Sequence, residues 1–304
     1  MKRWSIADLM MMYVVFVWGS VFSVIKMITS EVSVEAANAI RFLLIIPAFL
    51  VVLLWRRDLR LSRRDFALVT VLGVIGFGAY QLLSSFGISL TVVAGSALIL
   101  ASTPIFTTLF SGLFGVERIE SWGWLGVVVG FAGISMIILG EHGLEVLQVE
   151  SAVGELALIV SAACWAAGAV ISKPLMERHS SIKITSYSSV IGSALMLPFI
   201  LPGLGSVGAG GISLATVLLI LYWVLAGNII GQFARFFSVK QIGPHRATIY
   251  IYLVPFSAAI IAALLIGSPV GIHHLAGGAV IFAGVALTRV SPEARKQRTP
   301  RLAP

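Results

Sequence analysis

The chain is short of charge and of cysteine. Asp, Glu, Lys and Arg make up 11% of its 304 residues and apolar side chains 58%, whereas about a quarter of an ordinary soluble domain is charged. Cys164 is the one cysteine, so no intramolecular disulfide can form and a thiolate metal cluster has no support. No carboxylate falls well inside a long apolar run; Asp8 and Glu155 lie near the starts of two. None of the 5 histidines sits at the middle of such a run, although proton-coupled pumps usually hold a carboxylate or histidine at depth. HExxH, GxSxG, P-loop and zinc-ligand spacings are also missing, which leaves intramembrane hydrolysis and ATP-driven pumping without a motif. No catalytic residue, cofactor or metal is expected, and the chain reads as a non-enzyme. A cleavable signal is not expected either. The apolar stretch after Lys2 and Arg3 reaches Ile25, too long for a signal core and without a clear cleavage site.

What the chain has in quantity is apolar length. Ten stretches approach the roughly 20 residues that a spanning helix needs: 6–29, 34–55, 66–88, 92–114, 122–139, 154–175, 184–201, 213–237, 244–266 and 272–289. The net charge of +8 could indicate nucleic acid, but the placement of the cations argues against it. With the N-terminus inside, all of the 21 Lys and Arg except Lys26, Arg41 and Arg235 fall at cytoplasmic ends or loops, as the positive-inside rule requires. The loop after the fifth stretch is acidic instead, with Glu141, Glu145 and Glu150. The expectation is an all-α polytopic membrane protein with ten transmembrane helices, both termini cytoplasmic, in a cell inner membrane.

The sequence is also duplicated. Trp18-Gly-Ser-Val-Phe-Ser-Val-Ile-Lys26 returns 147 positions later as Trp165-Ala-Ala-Gly-Ala-Val-Ile-Ser-Lys173. Gln81 with Gln232, Pro104 with Pro255, Gly126 with Gly277 and Gly133 with Gly284 repeat at an offset of 151. The halves are read as 1–145 and 150–290, followed by a basic cytoplasmic tail, 291–304. Five spans per half is odd, so the second half enters the membrane inverted. Inverted repeats are the architecture of alternating-access transporters, with the substrate site near the midplane where the halves meet.

Polar residues within the spans mark candidate sites. Trp4, Trp55, Trp122 and Trp124 fall at span ends, as an interfacial belt would have them; Trp18, Trp165 and Trp223 do not, and a buried indole N–H needs a partner. For Trp223 the choice is open between helix packing and a cavity wall. Gln81 and Gln232 carry amides that must be hydrogen-bonded. Asn228, Gln232 and Arg235 share one face of the eighth span, turned to the bundle interior as a polar packing seam or, the favoured reading, a solute pathway. Asn38 and Arg41 lie a turn apart in the second. Arg41 either marks a site or pairs outward with Glu31 or Glu35. Lys26 and Lys173 read as snorkelling end residues. Tyr80, Tyr250 and Tyr252 can add hydroxyls; of the last two only one can face a cavity well. The expected substrate-binding set is Trp18, Asn38, Arg41, Tyr80, Gln81, Trp165, Asn228, Gln232 and Tyr250, with Pro104 and Pro255 as symmetric mid-helix kinks, either at hinge or gate positions or as static bends that shape the cavity.

These residues resemble the drug/metabolite transporter superfamily, specifically its ten-helix members with two EamA-type repeats. The likeness covers nearly the whole chain. It rests on Trp18-Gly-Ser…Lys26, Arg41-Phe42-Leu43, Ser102-Thr103-Pro104 followed by Gly115-Val116-Glu117-Arg118, Leu253-Val254-Pro255, and the glycine pairs near the end of each half. Two departures stand out. The family often carries a glutamate after the fourth helix of each repeat, but opposite Glu117 the second half has Ser268 and Pro269. The carboxylate that small four-helix drug exporters use in the first helix is missing from Val17-Trp18-Gly19-Ser20. The resemblance implies export of small metabolites, amino acids being the commonest suggestion for bacterial members. Sugar-phosphate or nucleotide-sugar exchange is the second reading, and a non-transporting lipid-handling or receptor-like bundle the third. The expected partners are a small-molecule substrate and the lipid bilayer, with no nucleic acid. A monomer suffices because both halves lie in one chain, and a dimer stays open.

Overall fold

The computed structural model describes residues 5–56, 60–90, 99–144, 152–207, 211–266 and 271–288. Among them every regular element is helical. Ten helices run in order: α1 Ile6–Ile28, α2 Val34–Arg56, α3 Arg63–Ile88, α4 Thr103–Leu113, α5 Ser121–His142, α6 Ala152–Arg178, α7 Ser181–Ile200, α8 Leu214–Ile242, α9 Pro244–Leu264 and α10 Ile272–Leu287. Eight are long and apolar enough to cross a membrane. Helix α10 is apolar but only 16 residues long, about 24 Å at the α-helical rise. Of the fourth expected span, residues 92–98 lie outside the described residues, as do the tail, Trp4, Glu145 and Glu150. The fold is an all-α polytopic membrane bundle.

Serine sets where several helices begin. The Ser5 hydroxyl accepts from the Asp8 N–H while Asp8 accepts from the Ser5 N–H, a reciprocal cap on α1. Ser62 caps α3 and Ser213 caps α8 through the hydroxyl alone, accepting from the Asp65 and Thr216 N–H groups, and these two serines are 151 positions apart, like the glutamines. Each of these ends is also fastened to a turn of the opposite half. Glu31, after α1, accepts from the Ser213 N–H and hydroxyl at 2.5 and 2.6 Å and from the Thr216 hydroxyl. These donors hold its carboxyl below the usual carboxylate range. Beyond the end of α6, His179 reaches Asp65 near the start of α3 at 2.9 Å, and Arg178 reaches it at 2.8 Å.

Lipid offers no hydrophobic force between helices, so association relies on small residues that let backbones approach. Large apolar side chains such as Leu54, Val128, Leu218 and Leu264 point outward. Inside, several buried Thr hydroxyls are satisfied on their own helix: Thr107 donates to the Thr103 carbonyl, Thr185 to that of Ser181 and Thr248 to that of Pro244. The two halves meet in matched pairs. Helix α1 packs on α8 and α9, α6 correspondingly on α3 and α4, α2 on α7, and α5 on α10. At the last seam Gly126 lies beside Gly284 and Gly133 beside Gly277, so the helices run antiparallel. A Cβ on Gly126 would stand 2.7 Å from the Gly284 carbonyl oxygen, and one on Gly277 2.6 Å from that of Gly133. Reciprocal contacts between repeat-related residues define a pseudo-two-fold axis across the helices, which makes the five-helix halves inverted copies.

Candidate substrate cavity

Two of the long helices change winding at the middle of the bundle. Helix α3 widens to π geometry over Val74–Ala79, and α8 over Trp223–Ile230. The segments occupy corresponding places in the repeats, just before Gln81 and Gln232. A π turn lengthens local hydrogen bonds and leaves carbonyls for other donors; such turns concentrate at functional sites. Here the donors come from neighbouring helices. Trp18 Nε1 donates to the Gly227 carbonyl at 3.0 Å, Tyr13 to that of Ala226 at 3.2 Å, and Ser161 to that of Tyr80 at 3.0 Å. Asn228 Nδ2 turns back onto the Trp223 carbonyl at 3.0 Å. Gly231 leaves room for the Trp18 indole, since a Cβ there would lie 2.8 Å from Nε1.

The cavity that results holds about 230 Å³ and is lined by Trp18, Val21, Ile25, Arg41, Phe77, Tyr80, Gln81, Trp165, Trp223, Gly227, Asn228 and Gln232. Along α1 it extends from Trp18 to Ile25, toward the end that carries the α1–α2 turn. The opposite end is closed by contacts between the halves. Tyr250 donates to Asp8 Oδ1 at 2.9 Å, Ser238 to the Ala7 carbonyl at 2.9 Å, and the His245 N–H to Glu117 at 3.1 Å.

Of the expected binding residues, Trp18, Arg41, Tyr80, Gln81, Trp165, Asn228 and Gln232 come together around this space. Asn38 and Tyr250 do not. Asn38 is half-buried on α2 and away from the lining, and Tyr250 is committed to Asp8. Tyr252 instead takes part in a second, apolar cavity of about 320 Å³, with Leu100, Ala101, Thr103, Ile251 and Val254. Trp18, Tyr80 and Trp165 belong to both cavities and form the wall between them, with Tyr80 and Trp165 ring centroids 4.5 Å apart and Trp18 edge-on to Trp165 at 5.9 Å.

Pro104 and Pro255 line the second cavity; Pro255 lies near the middle of α9, as expected, whereas Pro104 does not lie at the middle of a helix. Pro104 stands in the first turn of α4, behind a turn at 101–102. Pro255 follows the 3-10 turn Tyr250–Tyr252. A proline ring disfavours α geometry just upstream and cannot donate to the preceding turn, so in both repeats the winding changes before the proline.

The guanidiniums are the dominant charges. Arg41 lies over the Trp223 ring at 4.3 Å and the Phe42 ring at 4.4 Å, and its buried Nε has no hydrogen-bond partner among the described residues. Glu31, one of its expected partners, is engaged at Ser213 and Thr216; the Glu35 side chain lies outside the described residues. Arg235 is buried behind the lining, over Trp165 at 4.4 Å, and donates through Nε to Gln232 Oε1 at 3.1 Å. Trp223 is therefore a platform for Arg41 and a wall of the cavity. Lys173 donates to the Lys240 carbonyl at 2.6 Å, at the end of α8; the Lys26 side chain is outside the described residues.

Sequence reasoning met Glu117 only as a motif residue of the family that the chain resembles and did not place it at a contact between the halves. Its carboxyl sits against Gly243 at the start of α9, where burial raises it to about 7 against the His245 N–H, Lys173 and Arg246, which favour its charge. It spans the halves at the closed end. The missed signal was the positive-φ Gly243, a position that leaves space for a side chain from elsewhere.

Comparison with known proteins agrees with this architecture. The model of the EamA-like transporter family matches twice, over residues 5–139 and 152–290. A probable terminal-alkyne amino-acid exporter of Streptantibioticus cattleyicolor is 29% identical over 229 residues, covering 74% of this chain and 73% of that protein. The uncharacterized inner membrane transporter YedA of Escherichia coli K12 is 26% identical over 278 residues, 90% of this chain and 87% of its own. A crystal structure at 18% identity superposes with a TM-score of 0.78 over 96% of this chain and 99% of that one, a likeness of fold.

Proposed function

The chain belongs to the EamA-like transporter family, and from that premise we propose that it exports small metabolites, amino acids or related compounds, across the inner membrane by alternating access between its inverted halves. The observation that carries this reading is the mid-bundle cavity lined by repeat-related residues, Trp18 with Trp165 and Gln81 with Gln232, where the halves meet. Aromatic rings would hold an apolar side chain, while the amides and Arg41 bind polar or carboxylate groups. The amino-acid part draws on the Streptantibioticus relative. The location draws on the YedA relative and on the distribution of Lys and Arg, which favours cytoplasmic termini. In that orientation the cavity reaches toward the external side, and Glu117 and Tyr250 close the cytoplasmic side. Nothing in this scheme requires the protein to be an enzyme or to carry a cofactor.

Exchange of sugar phosphates is the second reading, favoured by the two buried arginines. Counterflow in proteoliposomes tests both. Vesicles preloaded with a labelled amino-acid mixture are challenged with external amino acids, N-acylated amino acids and phosphate esters. Exchange that disappears in Trp165→Ala and Gln232→Ala supports the assignment. Full exchange in both variants would remove the cavity from the mechanism, and exchange only with phosphate esters would select the second reading.

A further inference from the structure

We infer that the solute held in this cavity is an organic carboxylate of net negative charge that lacks a free ammonium group: an apolar or aromatic acid, or an amino acid whose amine is blocked. The inference rests on the transport reading above and narrows it within amino acids and related compounds.

The charge census of the site is one-sided. Arg41 lines the cavity with a buried Nε that no described residue accepts. Arg235 stands one layer behind, between Trp165 and Gln232, and Tyr80 interacts electrostatically with both guanidiniums. Among the described residues, no carboxylate lines the cavity or pairs with either arginine. Gln232 accepts from Arg235 through its oxygen, which leaves its amide NH2 to donate. A carboxylate entering here meets a guanidinium and an amide donor without displacing any ion pair.

An ammonium group would meet neutral amide oxygens such as that of Asn228 but no counter-charge among the described residues. Its usual seats are a carboxylate or the open face of an aromatic ring. The lining holds no described carboxylate, and the rings of Trp223 and Trp165 already carry Arg41 and Arg235 at 4.3 and 4.4 Å. Trp18 and Tyr80 are left to pack the apolar body of the solute. With two like charges nearby, an ammonium is disfavoured by at least about tenfold in affinity at an effective dielectric of about 20.

Three probes of matched ring and chain length isolate the charge: 3-phenylpropionate, phenylalanine and 2-phenethylamine. Titrated against the full chain in detergent and read by tryptophan fluorescence, phenylpropionate should bind at least about tenfold more tightly than phenylalanine, and phenethylamine weakest. Arg41→Gln should remove that preference. Gln232→Glu supplies the absent carboxylate beside Arg235 and should turn the preference toward phenylalanine, so the test holds even if Arg41→Gln fails to fold. Equal or tighter binding of phenylalanine by the wild type overturns the inference, as do binding by none of the three and tighter binding of phenyl phosphate than of phenylpropionate. Counterflow on the same protein separates the two failures. Exchange with phenylalanine preferred leaves transport standing without the anion site. Tight phenylpropionate binding with no exchange of any solute leaves the anion site standing without transport.

Discussion

The indole of Trp18 donates across the two halves to the Gly227 carbonyl at 3.0 Å. That carbonyl is available because α8 is wound as a π turn at this point, so the hydrogen bond, the widened turn and the cavity wall form one unit.

Trp18→Phe keeps most of the ring and removes the donor. Hydrogen bonds between membrane helices are worth about 0.6 kcal/mol on average, and an orphaned buried carbonyl adds to the loss. The variant should unfold in detergent with about 1 kcal/mol less stability and with weaker solute binding. Thermal unfolding followed by circular dichroism reads the first effect. An unchanged midpoint would mean the carbonyl finds another donor.

The α5–α10 seam should tolerate no side chain. In Gly133→Ala the new methyl would stand 2.8 Å from the Gly277 carbonyl oxygen and from Ile281, an overpacking that costs about 1–3 kcal/mol. Gly112, on α4, has nothing within 4 Å of where a Cβ would go. There alanine should be neutral or stabilise by up to about 1 kcal/mol through helix propensity. Melting temperatures of the two variants, compared with wild type, should therefore move apart.

Glu117 makes stability depend on pH. Its ordinary value is 4.5 and its folded value about 7, so between these pH values the folded chain keeps a proton that the unfolded chain releases. The resulting stabilisation is fully present below pH 4.5 and is lost as pH rises through 7. Allowing for partial exposure, it amounts to about 2 kcal/mol. Glu117→Gln should flatten this decline, and the gap between the two melting profiles should change with pH across that window. A constant gap would mean that Glu117 does not titrate there.

Much of the site could be read from the duplication, because a residue that matters twice is written twice. Trp18 with Trp165 and Gln81 with Gln232 were marked this way, and all four line the cavity. Arg41 and Asn228 stood out because a strongly polar group inside an apolar run has few places to go. The misplacements have a different cause. Tyr250 and Tyr252 fall in a 3-10 turn, whose 120° step shifts the face reached by each residue; Tyr250 meets Asp8, and Tyr252 lines the apolar cavity. Asn38 lies one turn from Arg41, but the packing of α2 on α7 decides which of them faces inward, and a single apolar helix carries no record of that choice. The π turns were equally silent, since they depend on donors supplied by other helices.

Helix α6 has 27 residues where its counterpart α1 has 23, and the repeat offset grows from 147 to 151 between the first and third helices of each half. The extension carries the chain to Arg178 and His179, and so to Asp65, while the corresponding turn after α1 offers Glu31 to hydroxyls and an N–H. Gene duplication made two similar clasps, and this extra helical turn made them chemically unlike: an ion pair at one end, neutral donors around a carboxylate at the other. Salt would therefore loosen the two clasps unequally, because it weakens the ion pair more than the neutral contacts.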